Sequence, residues 1–195
     1  TILIVGRSGE GKSTTVNHLV GKTAVPIGKG AKSETVGANL YVSDRCRFNI
    51  IDTEGLDGTH TDETNQDLMN RIRAKTLFYL EFDASIDAIL IMWCPLKNGR
   101  SCLAKTIKAL QASFGDDIIE SCIVVVQGNW KLHAEILDLT EAVPEGIEEI
   151  QMSFPNVPIV EYDAKGLFHE QLPLLNKAID KVKPHQLEFF EERRK

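Results

Sequence analysis

Apolar residues follow two patterns along this chain, which predict two kinds of element. Residues 2–5, 86–94 and 122–126 form nearly continuous apolar runs, as expected of strands buried on both faces of a parallel sheet. Residues 68–82 and 101–114 instead carry apolar side chains at helical spacing. Strands that alternate with helices predict a three-layer α/β fold with a mostly parallel sheet.

The rest of the pattern predicts one hairpin and a C-terminal α/β unit. Residues 40–42 and 48–51 are apolar runs on either side of a polar turn, which predicts one antiparallel hairpin strand. A helix is predicted over residues 145–154, a short strand over 157–160 and an amphipathic helix over 172–182.

Composition fits one soluble globular domain. The 195 residues are 43% hydrophobic and 26% charged, and the net charge of −6 argues against a nucleic-acid-binding surface. The four cysteines show no metal-binding spacing, so a reducing, cytoplasmic location is expected.

We predict a domain over residues 1–183 and a helical tail over 184–195. A chain that opens in a core strand is expected to be part of a longer protein. No run reaches the roughly 20 apolar residues of a membrane span, so membrane contact is expected only through flanking segments.

The strongest motif is GRSGEGKS at residues 6–13, which matches the phosphate-binding pattern GxxxxGK[ST]. Gly6 and Gly11 allow the backbone to turn its N–H groups onto phosphate oxygens. Lys12 supplies a charge for the β- and γ-phosphates, and the Ser13 hydroxyl can ligate Mg²⁺. The strand before and the helix after are the context that the motif requires, and that helix adds its N-terminal dipole. The predicted nucleotide-binding residues of this loop are Arg7, Ser8, Gly9, Glu10, Gly11, Lys12, Ser13 and Thr14.

Two further segments are placed to sense the γ-phosphate. Asp52 and Gly55 form a DxxG motif after the second hairpin strand, where Asp52 can hold Mg²⁺ and the Gly55 N–H can meet the γ-phosphate. Thr35, in the long loop before the hairpin, is preferred over Ser33, Thr23 and Ser43 as a further Mg²⁺ ligand, although a solvated threonine is the alternative. The predicted metal ligands are therefore Ser13, Thr35 and Asp52.

Residues 6–15, 33–35 and 52–56 resemble the first three motifs of immunity-associated (GIMAP-like) GTPases, which are related to septins and to chloroplast import-receptor GTPases. The strand at residues 87–91 and the helix that closes with Phe-Gly at residues 114–115 are also similar to that family. The resemblance implies a Ras-like P-loop G domain that binds GTP with Mg²⁺. It also implies a homodimer formed through the nucleotide faces.

The chain departs from these GTPases where the base is recognised. Ras-like proteins use N/TKxD after the strand that ends here at Gln127, whereas this chain continues Gly-Asn-Trp-Lys-Leu without an aspartate. Asn129 could replace the first residue of the motif, and Trp130 or Lys131 could stack on the base. An indole at a strand end such as Trp130 nevertheless more often packs in the core. Residues 161–165 are similar to the SAK loop of Ras-like proteins, which implies that Ala164 and Lys165 contact the base.

The chain also lacks the glutamine that orients the attacking water in Ras-like enzymes. Leu56 stands where Ras-like enzymes place the glutamine that orients water. Glu54, Asp57 and His60 are alternatives for that task. Arg7 and Arg100 are candidates for an arginine supplied across a dimer, although a solvated arginine is the preferred interpretation of each. We predict slow intrinsic hydrolysis. The residues predicted to act in it are Lys12, Thr35, Glu54 and Gly55.

The sequence is consistent with three alternative functions. The preferred one is a GTP·Mg²⁺-dependent switch with weak GTPase activity, regulated by nucleotide-dependent dimerisation. The second is a hydrolysis-deficient assembly module with relaxed base specificity, which Leu56 and the missing aspartate favour. A P-loop kinase or ATPase is the third, but the sequence shows neither an arginine-rich lid nor an acceptor site.

Overall fold

A computed structural model describes residues 1–21, 24–25, 37–56, 65–80, 85–94, 100–127 and 142–187. The strands of this part of the chain are β1 (Ile2–Val5), β2 (Ala38–Tyr41), β3 (Ile50–Thr53), β4 (Ser85–Ile86), β5 (Ala88–Trp93), β6 (Cys122–Gln127), β7 (Ile159–Tyr162) and β8 (His185–Gln186). The helices are α1 (Lys12–Val20), α2 (Asn65–Leu80), α3 (Arg100–Phe114), α4 (Ala142–Ser153) and α5 (Phe168–Ile179), with a 3₁₀ helix at Asp116–Ser121.

Six strands form the central sheet, in the order β2-β3-β1-β5-β6-β7. Only β2 runs antiparallel to its neighbour, and the other pairs are parallel. The predicted α/β fold with a mostly parallel sheet and one antiparallel hairpin strand is therefore confirmed. Because the parallel strands end at the same edge, the segments after β1, β3, β6 and β7 all leave the sheet there.

Each face of the sheet is covered by helices, which gives three layers. On one face, alternate strand residues such as Leu3 and Ile51 pack with Met69 of α2 and Ile107 of α3. The other face, which includes Ile4, packs against apolar side chains of α1 and α5. The inner strands β1, β5 and β6 are buried on both sides, and this explains why they are continuous apolar runs in the sequence.

The run at residues 86–94, predicted as one strand, is two strands. Ile86 pairs with His185 in a separate two-stranded sheet, whereas Ala88–Trp93 lies in the central sheet. The half-buried Asp87 separates them, and its backbone N–H donates to the Thr1 carbonyl at 2.8 Å. Hydrophobicity alone cannot detect this division, because both parts are buried.

Several predicted boundaries are shifted. β3 continues through Asp52 and Thr53, which were expected in a loop, because both pair with β2. Val42, predicted to be in a strand, follows β2 and is 64% exposed. The last strand of the sheet and the helix after it are β7 and α5 rather than residues 157–160 and 172–182.

The beginning of the predicted helical tail is extended chain. His185–Gln186 forms β8, and its pairing with β4 and the burial of Leu187 explain why a helix does not begin here. Residues 188–195 lie outside the described residues, so the division at residue 183 stays a prediction.

Candidate nucleotide-binding site

The loop between β1 and α1 has the backbone geometry that its glycines require. A Cβ atom on Gly6 would lie 2.7 Å from Glu10 Oε2 and 2.8 Å from the Met92 carbonyl oxygen. Gly11 has φ +84°, and a Cβ there would lie 1.4 Å from Gln127 Nε2. Both positions are therefore closed to larger residues, and α1 begins directly after the loop at Lys12.

Lys12 reaches back across this loop. Its Nζ donates to the carbonyl oxygens of Gly6 at 3.1 Å and Arg7 at 2.9 Å, and the residue is only 7% exposed. Burial lowers the pKa of Lys12, whereas the charges of Asp52, Glu10 and Glu54 act in the opposite direction. The ammonium group is thus held at the loop, close to where a bound phosphate would need a cation.

Glu10 lies inside the loop rather than on its outer surface. It is 2% exposed, and its Oε2 accepts the backbone N–H of Arg7 at 2.6 Å. The remaining predicted loop residues are more open: Arg7, Ser8, Ser13 and Thr14 are half-buried and Gly9 is exposed. The charged side chain of Glu10 is therefore part of the internal support of the loop.

The DxxG segment packs directly on the phosphate-binding loop. A Cβ on Gly55 would lie 2.6 Å from the backbone N of Ser8, so these two backbones touch. The Leu56 N–H donates to the Gly6 carbonyl at 3.1 Å. Asp52 is fully buried next to β1, with Ile4 as its register partner. Asp52, Gly55 and Lys12 are thus brought together, as the motifs predict.

Leu56 is 2% exposed and belongs to the apolar core beneath α2. Its side chain is therefore used in packing.

Glu54 is held by two donors. Its Oε2 accepts the Gly37 N–H at 2.8 Å and Arg71 Nη2 at 3.1 Å. The Glu54 N–H donates to the Gly37 carbonyl at 2.6 Å, so the same two residues also meet through the backbone. The structure therefore gives Glu54 contacts with β2 and α2 that its position in the DxxG motif did not indicate.

The turn after β7 presents one backbone donor. The Asp163 N–H donates to Gln171 Oε1 at 2.9 Å, Lys165 N–H to Asp163 Oδ1 at 2.9 Å, and Gly166 N–H to the Asp163 carbonyl at 3.0 Å. Ala164 is half-buried and Lys165 is exposed. Within the described residues, Ala164 is the member of this turn whose N–H has no acceptor, which makes it available to a ligand.

The structure also identifies Gln127, which the sequence did not single out. It is the last residue of β6, and its Nε2 donates to the Glu10 carbonyl at 2.7 Å. This bond ties the phosphate-binding loop to the strand that precedes Asn129 and Trp130. Its polar side chain at the end of an apolar strand was the available signal. Thr35, Asn129 and Trp130 themselves lie outside the described residues.

Two negative findings concern the described residues alone. They contain no cluster of three or more histidine, cysteine, aspartate or glutamate residues that could hold a metal ion. None of the helices described has the length and apolar composition needed to cross a membrane.

Comparison with known proteins agrees with this site. The model of the AIG1 family matches residues 1–165. The chain belongs to the AIG1 family. Immune-associated nucleotide-binding protein 10 of Arabidopsis thaliana is 29% identical over 76% of this chain and 32% of its own length. Immune-associated nucleotide-binding protein 7 of the same plant is 27% identical over 93% of this chain and 60% of its length. The chain thus spans about a third to three-fifths of these relatives, and the predicted immunity-associated family is confirmed.

Solved GTPase structures have the same fold. Toc33 of Arabidopsis thaliana in complex with GDP and Mg²⁺ superposes with a TM-score of 0.61 at 19% identity, over 96% of this chain and 87% of that one. Era of Aquifex aeolicus bound to GDP and AlF₄⁻ gives 0.60 at 22% identity, over 98% and 59%. A third match, from work on the importance of dimerisation for the GTPase activity of the chloroplast translocon components atToc33 and psToc159, gives 0.57 at 19% identity, over 92% and 81%.

Proposed function

We propose that this AIG1-family domain binds guanine nucleotides with Mg²⁺ and hydrolyses GTP slowly, as a switch. The observation that carries the proposal is the contact of Gly55 with the backbone of Ser8, beside the buried Lys12. Two segments that respond to a γ-phosphate in P-loop GTPases meet there. The names of the Arabidopsis relatives, which are nucleotide-binding proteins, and the GDP in Toc33 and Era support the choice of ligand.

The charge of the site fits a divalent cation. Glu10, Asp52 and Glu54 are all at most 4% exposed, and Lys12 is the buried cation beside them. A triphosphate would add negative charge to this cluster, so a hard cation with oxygen ligands is needed for compensation. The fully buried Asp52 carboxylate and the Ser13 hydroxyl are suitable donors, and we propose Thr35 as the third.

Each predicted residue then has a proposed role. Lys12 and the loop backbone bind the phosphates, and the Gly55 N–H meets the γ-phosphate. The Ala164 N–H and Lys165 bind the base, with Asn129 and Trp130 beside it. Mg²⁺, when bound, would supply electrostatic stabilisation of the charge that develops on the phosphate oxygens. Glu54 acts on hydrolysis through its contacts with Gly37 and Arg71.

A hydrolysis-deficient assembly module remains the second candidate. The burial of Leu56 favours it, since no polar side chain is available at the position that orients water in Ras-like enzymes. The lack of an aspartate after β6 also favours relaxed base specificity, because base choice depends on donors that would otherwise stay unpaired.

To test this proposal, the affinities of the chain for GTP, GDP, ATP and ADP are measured with Mg²⁺ and with EDTA. Single-turnover hydrolysis of GTP is then measured. We expect guanine nucleotides to bind best and triphosphate affinity to fall when Mg²⁺ is removed. Lys12→Ala should lower triphosphate affinity by about tenfold to a hundredfold, since a buried charge-assisted contact is lost.

The matched control is Lys181→Ala, which changes an exposed lysine after α5 and should bind as the wild type does. Equal affinity for ATP and GTP would contradict guanine selectivity. Tight GTP binding without turnover would establish the assembly module instead.

A further inference from the structure

Three residues from separate parts of the chain meet at the Glu54 carboxylate: Gly37, Glu54 and Arg71, here called the Glu54 clasp. Oε2 of Glu54 lies 2.8 Å from the Gly37 N and 3.1 Å from Arg71 Nη2. The Glu54 side chain is 6% exposed and that of Arg71 is 41% exposed. A nearly buried carboxylate thus bridges a backbone N–H and a partly exposed guanidinium group.

The Glu54 clasp joins the segments that carry the proposed phosphate sensors. Gly37 follows Thr35 by two residues, and Glu54 lies between Asp52 and Gly55. Arg71 lies on α2, the helix that follows the DxxG segment. The carboxylate therefore connects the start of β2, the end of β3 and α2.

A second bond acts between the same elements. Tyr79, also on α2, donates its hydroxyl to the Ala38 carbonyl at 3.0 Å. The start of β2 is consequently held to α2 at two successive residues, through Glu54 at Gly37 and directly at Ala38. A displacement of α2 would act on β2 through both bonds.

The ionised Glu54 carboxylate is the main connection between Gly37 and α2. A hydrogen bond to an ionised group is stronger than a neutral one, and a buried carboxylate that loses its cation becomes unfavourable where it lies. Removing Arg71 should therefore also loosen the hold of Glu54 on Gly37.

We propose that Glu54 is a positioning residue for GTP hydrolysis: through Arg71 and Gly37 it fixes the two phosphate-sensing segments relative to α2. This inference rests on the proposed GTPase function. It assigns Glu54 a role that does not require contact with the attacking water, and it makes Arg71 a determinant of turnover.

The test compares Arg71→Met with Arg73→Met, which makes the same change two residues further along α2, where Arg73 lines a cavity with Gln111 and Asp117. For Arg71→Met we expect GTP turnover about tenfold below the wild type and GDP affinity within about twofold of it, because the sensors act on the γ-phosphate. Arg73→Met should match the wild type. Arg71→Lys, which keeps a cation for Glu54, should lose less turnover than Arg71→Met.

A double-variant cycle separates coupling from general destabilisation. Glu54→Gln keeps an acceptor for the Gly37 N–H but removes the charge, so combining it with Arg71→Met should cost less than the product of the single effects. Amide exchange at Gly37 and Ala38 in nucleotide-free protein should rise in Arg71→Met and stay unchanged in Arg73→Met. If Arg71→Met is too unstable to purify, Tyr79→Phe and Arg71→Lys carry the same test, each with reduced turnover expected.

The outcomes distinguish the two proposals. A wild-type chain that neither binds nor hydrolyses GTP contradicts the proposed function and this inference with it. Wild-type hydrolysis that is unchanged in Arg71→Met, multiplicative effects in the cycle, or an equal loss of GDP and GTP affinity would each overturn the inference alone.

Discussion

Individual residues at the site combine burial with charge. Lys12, Glu10, Asp52 and Glu54 are all at most 7% exposed, where ionised side chains are normally found only with partners. Lys12 shows the balance, because burial lowers its pKa while three nearby carboxylates raise it. Such opposed effects of burial and neighbouring charge on a pKa are common at ligand-binding and catalytic sites. Lys12, whose pKa is lowered by burial, is also the residue to which phosphate binding is assigned.

A pH prediction follows at the same scale from Cys122, the first residue of β6. Burial raises the pKa of its thiol from 9.0 to about 12. In the unfolded chain the thiol ionises near pH 9, whereas in the folded chain it stays protonated. Stability is therefore fully present below pH 9 and is lost as the pH rises towards 12. Between pH 8 and 10.5 the wild type should lose about 2 kcal/mol more than Cys122→Ala.

Urea denaturation of both proteins in reducing buffer at the two pH values measures this difference. Parallel losses in the wild type and in Cys122→Ala would contradict it.

At the scale of elements, the site consists of segments that follow the ends of neighbouring strands in the central sheet. The loop after β1, the DxxG segment after β3 and the turn after β7 come from strands of one sheet, whose parallel members end at the same edge. β3 lies between β1 and β2 and brings Asp52 beside the phosphate-binding loop. β6 adds a direct bond to that loop through Gln127.

The Gln127 bond gives a prediction for β6. In Gln127→Leu the Glu10 carbonyl loses its donor, and the loop loses its tie to the strand before the proposed base site. We expect the affinities for GTP and GDP to fall together by about tenfold, which corresponds to about 1.4 kcal/mol. Isothermal titration of both nucleotides measures this change.

Gln186→Leu, an exposed position on β8, is the matched control and should leave both affinities unchanged. A loss confined to GTP would show that Gln127 acts on the γ-phosphate side instead, against the prediction.

At the scale of the whole molecule, the feature to be tested is the predicted homodimer. The chain spans about a third to three-fifths of the length of its Arabidopsis relatives. For this chain, the homodimer through the nucleotide faces that the sequence resemblance implies stays a prediction.

Turnover should then depend on protein concentration. Leu56 is buried in the core and cannot orient water. In the predicted dimer, a group from a second subunit is the alternative to Asp57 and His60 of the same chain. GTP turnover per subunit should rise with protein concentration, and light scattering with a non-hydrolysable GTP analogue should show a dimer in the same range. Turnover that is constant from dilute to concentrated protein would contradict a role for the dimer. Arg7→Ala should remove the concentration dependence if Arg7 is the residue supplied across the interface.

The sequence by itself determined the alternation of elements, the phosphate-binding loop and the DxxG segment. These depend on interactions that are local or periodic. Gly6 and Gly11 occupy positions where a Cβ atom would meet neighbouring atoms within 2.7 Å, and the apolar runs of β1, β5 and β6 are buried on both faces. Information of this kind is carried by residue type and spacing, so it is available before any fold is known.

Only the tertiary structure decided which side chains support those motifs. Gln127 reaches a carbonyl 117 positions away, and Arg71 reaches Glu54 across 17 positions. The division of the run at residues 86–94 depends in turn on the pairing of Ile86 with His185. None of these contacts has a local signature, because each requires two distant segments to be folded against each other. The phosphate-binding loop could therefore be predicted from the sequence, whereas the bonds that hold it and couple it to α2 could not.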